Sequence, residues 1–141
     1  MRGWLTSYML ATGVVLAAAQ GGATRSVWEG VYTEAQAARG EAVSEEQCVR
    51  CHGATLAGAE AAPALVGAVF NSSWDGVPLG ELAQRIRDSM PLDAPGSLSR
   101  RQTVEVMAYM LKRGSIPAGT TELPTDTGAL DQITFVGIRP Q

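Results

Sequence analysis

The chain has two cysteines and one histidine, and all three fall within five positions, Cys48-Val49-Arg50-Cys51-His52. Side chains of this kind close disulfides, run thiol exchange or hold metals. A disulfide between residues three apart would close too short a loop to restrain much of the unfolded chain, so it explains little as a staple. A structural zinc ion wants four protein ligands, and no other Cys or His exists to complete the set. A redox dithiol usually opens a helix after a strand, and no strand-like alternation precedes Gln47. C-x-x-C-H is, however, the spacing of covalent c-type haem attachment. At the end of a helix, Cys48 and Cys51 stand at i and i+3 and face one way, so two thioethers can hold one porphyrin edge. His52, next in line, is then placed to reach the iron with an imidazole nitrogen as proximal ligand.

With one histidine, a second imidazole on the far side of the iron is excluded. Methionine is the remaining soft candidate, because a thioether favours reduced iron and raises its potential. Of the five methionines, Met1 and Met9 lie in the N-terminal segment. Met107 sits on the apolar stripe of a helix and Met110 near its border, where methionine is most often core filler. Met90 follows an amphipathic helix, precedes a proline and opens the loop SMPLDAPGSLS. It is the candidate sixth ligand; the alternative is packing, with Met90 continuing the stripe from Ile86.

The elements that must position these residues are mostly helical. Thr33-Glu34-Ala35-Gln36 has the pattern of a capping box, predicting a helix from there to about Val49. Leu79, Leu82, Ala83 and Ile86 form one apolar stripe, predicting a helix over 79–88, and Pro91 disfavours a helical backbone at Met90. Ser99-Arg100-Arg101-Gln102 is a second capping box, followed by Val104, Met107, Ala108 and Leu111 at i, i+3, i+4 and i+7. Lys112 and Arg113 suit the negative end of that helix, and Gly114 supplies its stop. Residues 115–141 are rich in Pro, Gly and Thr with one β-prone stretch, Ile133 to Val136, and read as an extended tail packed over the domain. The class is small all-α, a single domain's worth of chain. Loops as long as Gly53–Val77 are entropically costly, so an apolar body such as haem belongs in the middle.

The first residues stand apart. MRGWLTSYMLATGVVLAAAQ has Arg2, an apolar run of sixteen residues at 4–19, and small residues at Ala17 and Ala19. This is the layout of a secretory signal peptide, assigned to residues 1–22; the run is short for a spanning helix, and an uncleaved N-terminal membrane anchor is the alternative. Net charge is −3 with no basic block, so nucleic-acid binding has no electrostatic support.

Taken together, these residues resemble the class I monohaem cytochromes c, over most of Val27 to Leu123. In that family a glycine eight residues before the first haem cysteine packs against an aromatic of the last helix. Gly40 and Tyr109 stand at the matching places, with Val106 one turn before; the aromatic usual four residues after the glycine is here Ser44. Ala62-Pro63-Ala64-Leu65-Val66-Gly67 resembles the loop whose proline carbonyl accepts the proximal histidine's Nδ1–H, a bond that would strengthen the imidazole as a ligand. Trp74 resembles a tryptophan near the haem propionates, and Ser89-Met90-Pro91 the axial-methionine motif. Pro63 as a mere loop former and Trp74 as a packed aromatic are the simpler alternatives. Arg85 and Arg87 read as solvated helix-surface residues rather than propionate partners. The flanks VWEGVYTEAQAARG and GSIPAGTTEL resemble a bacterial subgroup associated with periplasmic dehydrogenases and sulfur-oxidising oxidoreductases.

The resemblance implies a cytochrome c fold at 27–123, three main helices and long loops wrapped around one covalent haem c and its iron, with an extended tail at 124–141. It implies a periplasmic electron carrier rather than an enzyme, its partners a redox protein donor and acceptor: a dehydrogenase, an oxidase or another cytochrome. Filling both axial sites with His52 and Met90 would leave no open position for substrate. The rival expectations are a fixed cytochrome subunit of a dehydrogenase or sulfur-oxidising complex, and an enzyme or sensor with an open iron site. More remote is a haem-free dithiol protein.

Overall fold

The computed structural model describes residues 24–60 and 62–141; the segment expected as a signal peptide lies outside them. The elements are β1 (Arg25–Ser26), a 3-10 turn (Val27–Glu29), α1 (Glu34–Gln47), α2 (Val49–His52), α3 (Ala68–Trp74), α4 (Leu79–Ser89), α5 (Arg100–Arg113), α6 (Thr127–Leu130) and β2 (Ile133–Thr134). The architecture is all-α, as the residue pattern implies. Among the described residues no helix is long and apolar enough to cross a membrane.

α5 starts where its capping box predicts. The Ser99 hydroxyl accepts from the Gln102 backbone N–H at 3.2 Å, and the Gln102 side chain accepts from the Ser99 backbone N–H at 3.0 Å. At α1 only half of the expected box forms. Thr33 Oγ1 accepts from the Gln36 N–H, but the Gln36 amide turns away from the cap. It donates to Leu123 O at 3.0 Å and accepts from Leu123 N–H at 2.8 Å, tying the chain beyond α5 to α1. Gln36 is buried, so its two-way bond to an otherwise unpaired backbone outweighs a cap.

α1 and α5 pack with almost no space between their backbones. A Cβ on Gly40 would lie 1.7 Å from the Glu105 carbonyl oxygen and 2.3 Å from its carbon. Only hydrogen at position 40 permits this approach. Beside the contact, the buried Glu105 carboxylate accepts from Arg39 Nε at 2.6 Å and Arg101 Nε at 3.0 Å. Burial alone would raise its pKa, but the two guanidinium groups more than reverse this, and the carboxyl titrates below its ordinary value. Ser44, the residue in place of the family's aromatic, is fully buried, and its Oγ has no hydrogen-bond partner.

α4 presents Leu79, Leu82, Ala83 and Ile86 to the core and stops at Ser89. Met90 is extended, with φ −124° and ψ 148°, the conformation a following proline favours. The long stretch before α4 contains α3, which periodicity did not reveal because only Phe70 of its seven residues is buried.

The C-terminal segment is knitted into the body. Leu123, Leu130, Ile133 and Phe135 are buried, β2 pairs in parallel with β1, and Phe70 meets Phe135 edge-on with centroids 5.6 Å apart. The Trp28 indole donates to Val136 O at 2.8 Å, and Asn71 Nδ2 donates to Gly137 O at 3.0 Å. Earlier in the chain, the buried Tyr32 hydroxyl donates to Ile116 O at 2.7 Å. Burial, with the Glu34 charge adding to it, pushes that phenol up to about 12.

Two predictions follow from the α1–α5 contact. Gly40→Ala forces the backbones apart and should cost about 3 kcal/mol, lowering Tm by about 10 °C or more in a thermal melt. Because the folded Glu105 pKa is depressed, its contribution is present above the unfolded value near 4.5 and lost as pH falls through the folded value. Glu105→Gln should therefore destabilise by about 2 kcal/mol at pH 7 and flatten the acid limb of the stability–pH curve measured by denaturant titration.

Candidate functional site

The five-residue cluster sits where α1 gives way to a single further turn. Cys48 caps α1, donating its N–H to Ser44 O at 2.8 Å, and its carbonyl accepts from His52 N–H at 2.9 Å and Cys51 N–H at 3.1 Å. Gly53, at φ +79°, ends α2 directly after His52. Cys48 is half-buried against the core, Cys51 is exposed, and the two thiols are not bonded to each other. Burial pushes the Cys48 thiol above its ordinary range.

His52 is buried, 6% exposed, and its Nδ1 lies 2.7 Å from Pro63 O. A carbonyl can only accept, so this contact requires the proton on Nδ1. The loop after α2 is shaped to deliver that carbonyl. Gly58 N–H donates to His52 O at 3.0 Å, Ala59 and Ala62 exchange backbone bonds, and Leu65 N–H donates to Leu56 O at 2.8 Å. Leu56 is fully buried at φ +58°, a conformation costly for a leucine and held here by its burial. Gly58 adopts φ +89°, and a Cβ there would meet Ala64 N at 2.8 Å and Pro63 C at 3.1 Å. The loop-former reading of Pro63 is thus incomplete, since its carbonyl is a partner of the histidine.

The other residues singled out from sequence fall as follows. Met90 is half-buried against the core at the C-cap of α4. Met107 and Met110 are buried and line an apolar cleft with Phe70, Leu79, Leu82 and Phe135. Trp74 is half-buried, 6.0 Å from Phe70 between ring centroids. Arg85 is exposed. Arg87 is not simply solvated, because its Nε is buried without a hydrogen-bond partner.

One contact was invisible in the sequence. Arg50, between the two cysteines, forms an ion pair with Asp93, three residues beyond Met90. Its guanidinium holds the Asp93 carboxyl below the ordinary carboxylate range. No local signal announces a pair separated by 43 positions.

Gly58→Ala should displace the Pro63 carbonyl from His52. We expect a Tm lowered by several degrees and, in proton NMR, faster solvent exchange of the His52 Nδ1 proton than in the parent.

Against this geometry, comparison with known proteins gives three findings. The family model described as "Cytochrome C oxidase, cbb3-type, subunit III" matches residues 35–110, more than half of the chain. No curated protein sequence matches. Among solved structures, the sulfane dehydrogenase SoxCD from Paracoccus pantotrophus is similar with a TM-score of 0.48 and 20% identity, over 64% of this chain and 53% of that one. The chain thus spans about half the length of the solved chain it matches. With C-x-x-C-H inside the matched region, the chain belongs to this cytochrome c family: it is a monohaem c-type cytochrome, an electron carrier with covalently bound haem c and its iron.

Proposed function

We propose a periplasmic electron carrier in which Cys48 and Cys51 hold the haem and His52 and Met90 are the axial ligands. The observation that carries this reading is the buried imidazole. With Nδ1 donating to Pro63 O, Nε2 is left as the ring nitrogen with a free lone pair. The donor set fits haem c: two unpaired thiols at i and i+3 and one oriented imidazole. Haem c, when bound, supplies an iron that takes up and releases a single electron.

The chain's part is to fix the ligands so that they need not move between oxidation states. The Pro63 carbonyl orients His52 and raises its basicity. Met90 ends α4 in an extended conformation favoured by Pro91, half-buried against the core and outside the regular helix. Two filled axial positions leave no place for substrate, which supports transfer rather than catalysis. In this reading residues 1–22 are an export signal, 27–123 form the cytochrome domain and 124–141 the tail, while Trp74 stands near the propionates. The donor and acceptor are periplasmic redox proteins.

A fixed place in a dehydrogenase complex would call for a broad apolar face, for which the tail is the natural source. Yet Leu123, Leu130, Ile133 and Phe135 turn inward, leaving Ile138 as the tail's exposed large hydrophobic residue. This favours a free carrier, and gel filtration of the native protein from its own cells separates the two.

The decisive test is the absorption spectrum of the matured protein in both redox states, beside Met90→Leu. The parent ferric form should show the weak long-wavelength band of sulfur-to-iron charge transfer, and its reduced form should not bind carbon monoxide. Met90→Leu should lose the band and bind carbon monoxide. A parent that lacks the band and binds the gas readily has an open iron site, and the carrier reading then gives way to a catalytic or sensing one.

A further inference from the structure

We infer that Arg50 and Asp93 are positioning residues, a latch between the two segments that carry the axial ligands, and that this latch limits how often the Met90 thioether leaves the iron. The inference rests on the proposed ligation by Met90.

Arg50 is anchored from both sides. It lies within α2, whose turn is closed by Cys51 N–H to Cys48 O at 3.1 Å and Gly53 N–H to Val49 O at 2.9 Å. Its guanidinium therefore projects from a rigid base one residue from Cys51 and two from His52. Asp93 lies on the other segment. The chain between Met90 and Ser99 has little of its own to hold it: Pro91 and Leu98 are buried, while residues 92–97 are all exposed. Its internal backbone bonds are two turn contacts, Ala94 N–H to Pro91 O at 2.9 Å and Ser97 N–H to Ala94 O at 3.2 Å. Among the described residues, the Arg50 pair is the one salt bridge that reaches this loop from outside it.

An exposed ion pair adds little to global stability, since its Coulomb energy is weakened by water and salt. Its effect is larger in relative terms on a local equilibrium. Opening of a loop with few buried contacts lies at the low end of the free energies spanned within a fold, so a modest pair shifts a sizeable share of it. Loss of the pair should raise the open population about two- to fivefold. Met90 opens this loop directly after α4, so freeing the loop loosens the residue whose thioether is the proposed ligand. Arg50 and Asp93 touch neither donor atom, and they act only by holding the loop.

The test uses the haem-loaded protein and its variants Arg50→Gln, Asp93→Asn and the double variant. Asp93→Asn lies outside the cysteine motif, so it reports even if Arg50→Gln matures poorly. The readouts are the ferric charge-transfer band against temperature and the rate of carbon monoxide binding to the reduced form at saturating gas, which is set by departure of the methionine. Each single variant should bind about two to five times faster and lose the band at lower temperature, with the unfolding Tm nearly unchanged. The double variant should be no faster than the singles, and raising salt should speed the parent but not the double variant. Rates equal to the parent's, or single effects that multiply in the double variant, overturn the latch while leaving Met90 ligation intact. A parent without the band, and open to carbon monoxide at once, overturns the Met90 reading and the latch with it.

Discussion

The backbone of α1 lies against the backbone of α5 at Gly40, closer than any side chain at that position would allow. This contact fixes how α1 lies against α5, and Cys48 is the C-cap of α1. Everything downstream in the attachment segment takes its place from there: Cys48 half-buried against the core, Cys51 outward and His52 inward. The charges around the crossing reinforce it. Arg39 reaches both Glu105 and Glu122, Arg101 reaches Glu105, and Lys112 Nζ reaches Glu34 at 2.7 Å. Of these only the Glu105 carboxylate is well shielded from water, so it is the pair most able to contribute; the exposed ones add little.

A second constraint works through the loop after α2. A histidine can ligate iron in any of several orientations unless its other nitrogen is engaged. The chain engages it with a backbone carbonyl rather than a side chain. Such a partner cannot be lost by a point substitution at Pro63, but it depends on the loop's shape. That shape is maintained by backbone bonds across the loop, by the buried Leu56 and by Gly58, whose missing Cβ lets two strands of the loop touch. The orientation of the histidine is thus set by main chain, through the Pro63 carbonyl and the backbone bonds that shape its loop.

Much of this was legible in the order of residues. The boundaries of α4 and α5 follow from apolar periodicity and caps, because helices that bury one face announce it every three or four positions. The break at Met90 follows from the proline after it. Legibility fails where the deciding partner is far along the chain. Gln36 looked like the third residue of a capping box, yet it bonds to Leu123; the competing partner lies 87 positions away. α3 buries one side chain of seven and so has no periodic signature. The tail read as an extended cover, whereas its buried apolar residues, α6 and the strand pairing with β1 make it part of the core.

The sequence by itself determined the chemistry. Two cysteines and one histidine at fixed offsets leave covalent haem as the site they suit, and no other histidine is available to compete for the iron. Tertiary structure decided what surrounds those groups: the loop shape that brings the Pro63 carbonyl, expected from the resemblance, to the imidazole, the Arg50–Asp93 pair between α2 and the loop after α4, and the burial of Arg87 Nε without a partner. The reason is physical. Covalent and ligand chemistry depends on residue type and spacing along a few positions of chain, whereas orientation depends on backbone carbonyls, which any residue type supplies, and on charged partners distant in sequence that only folding brings together.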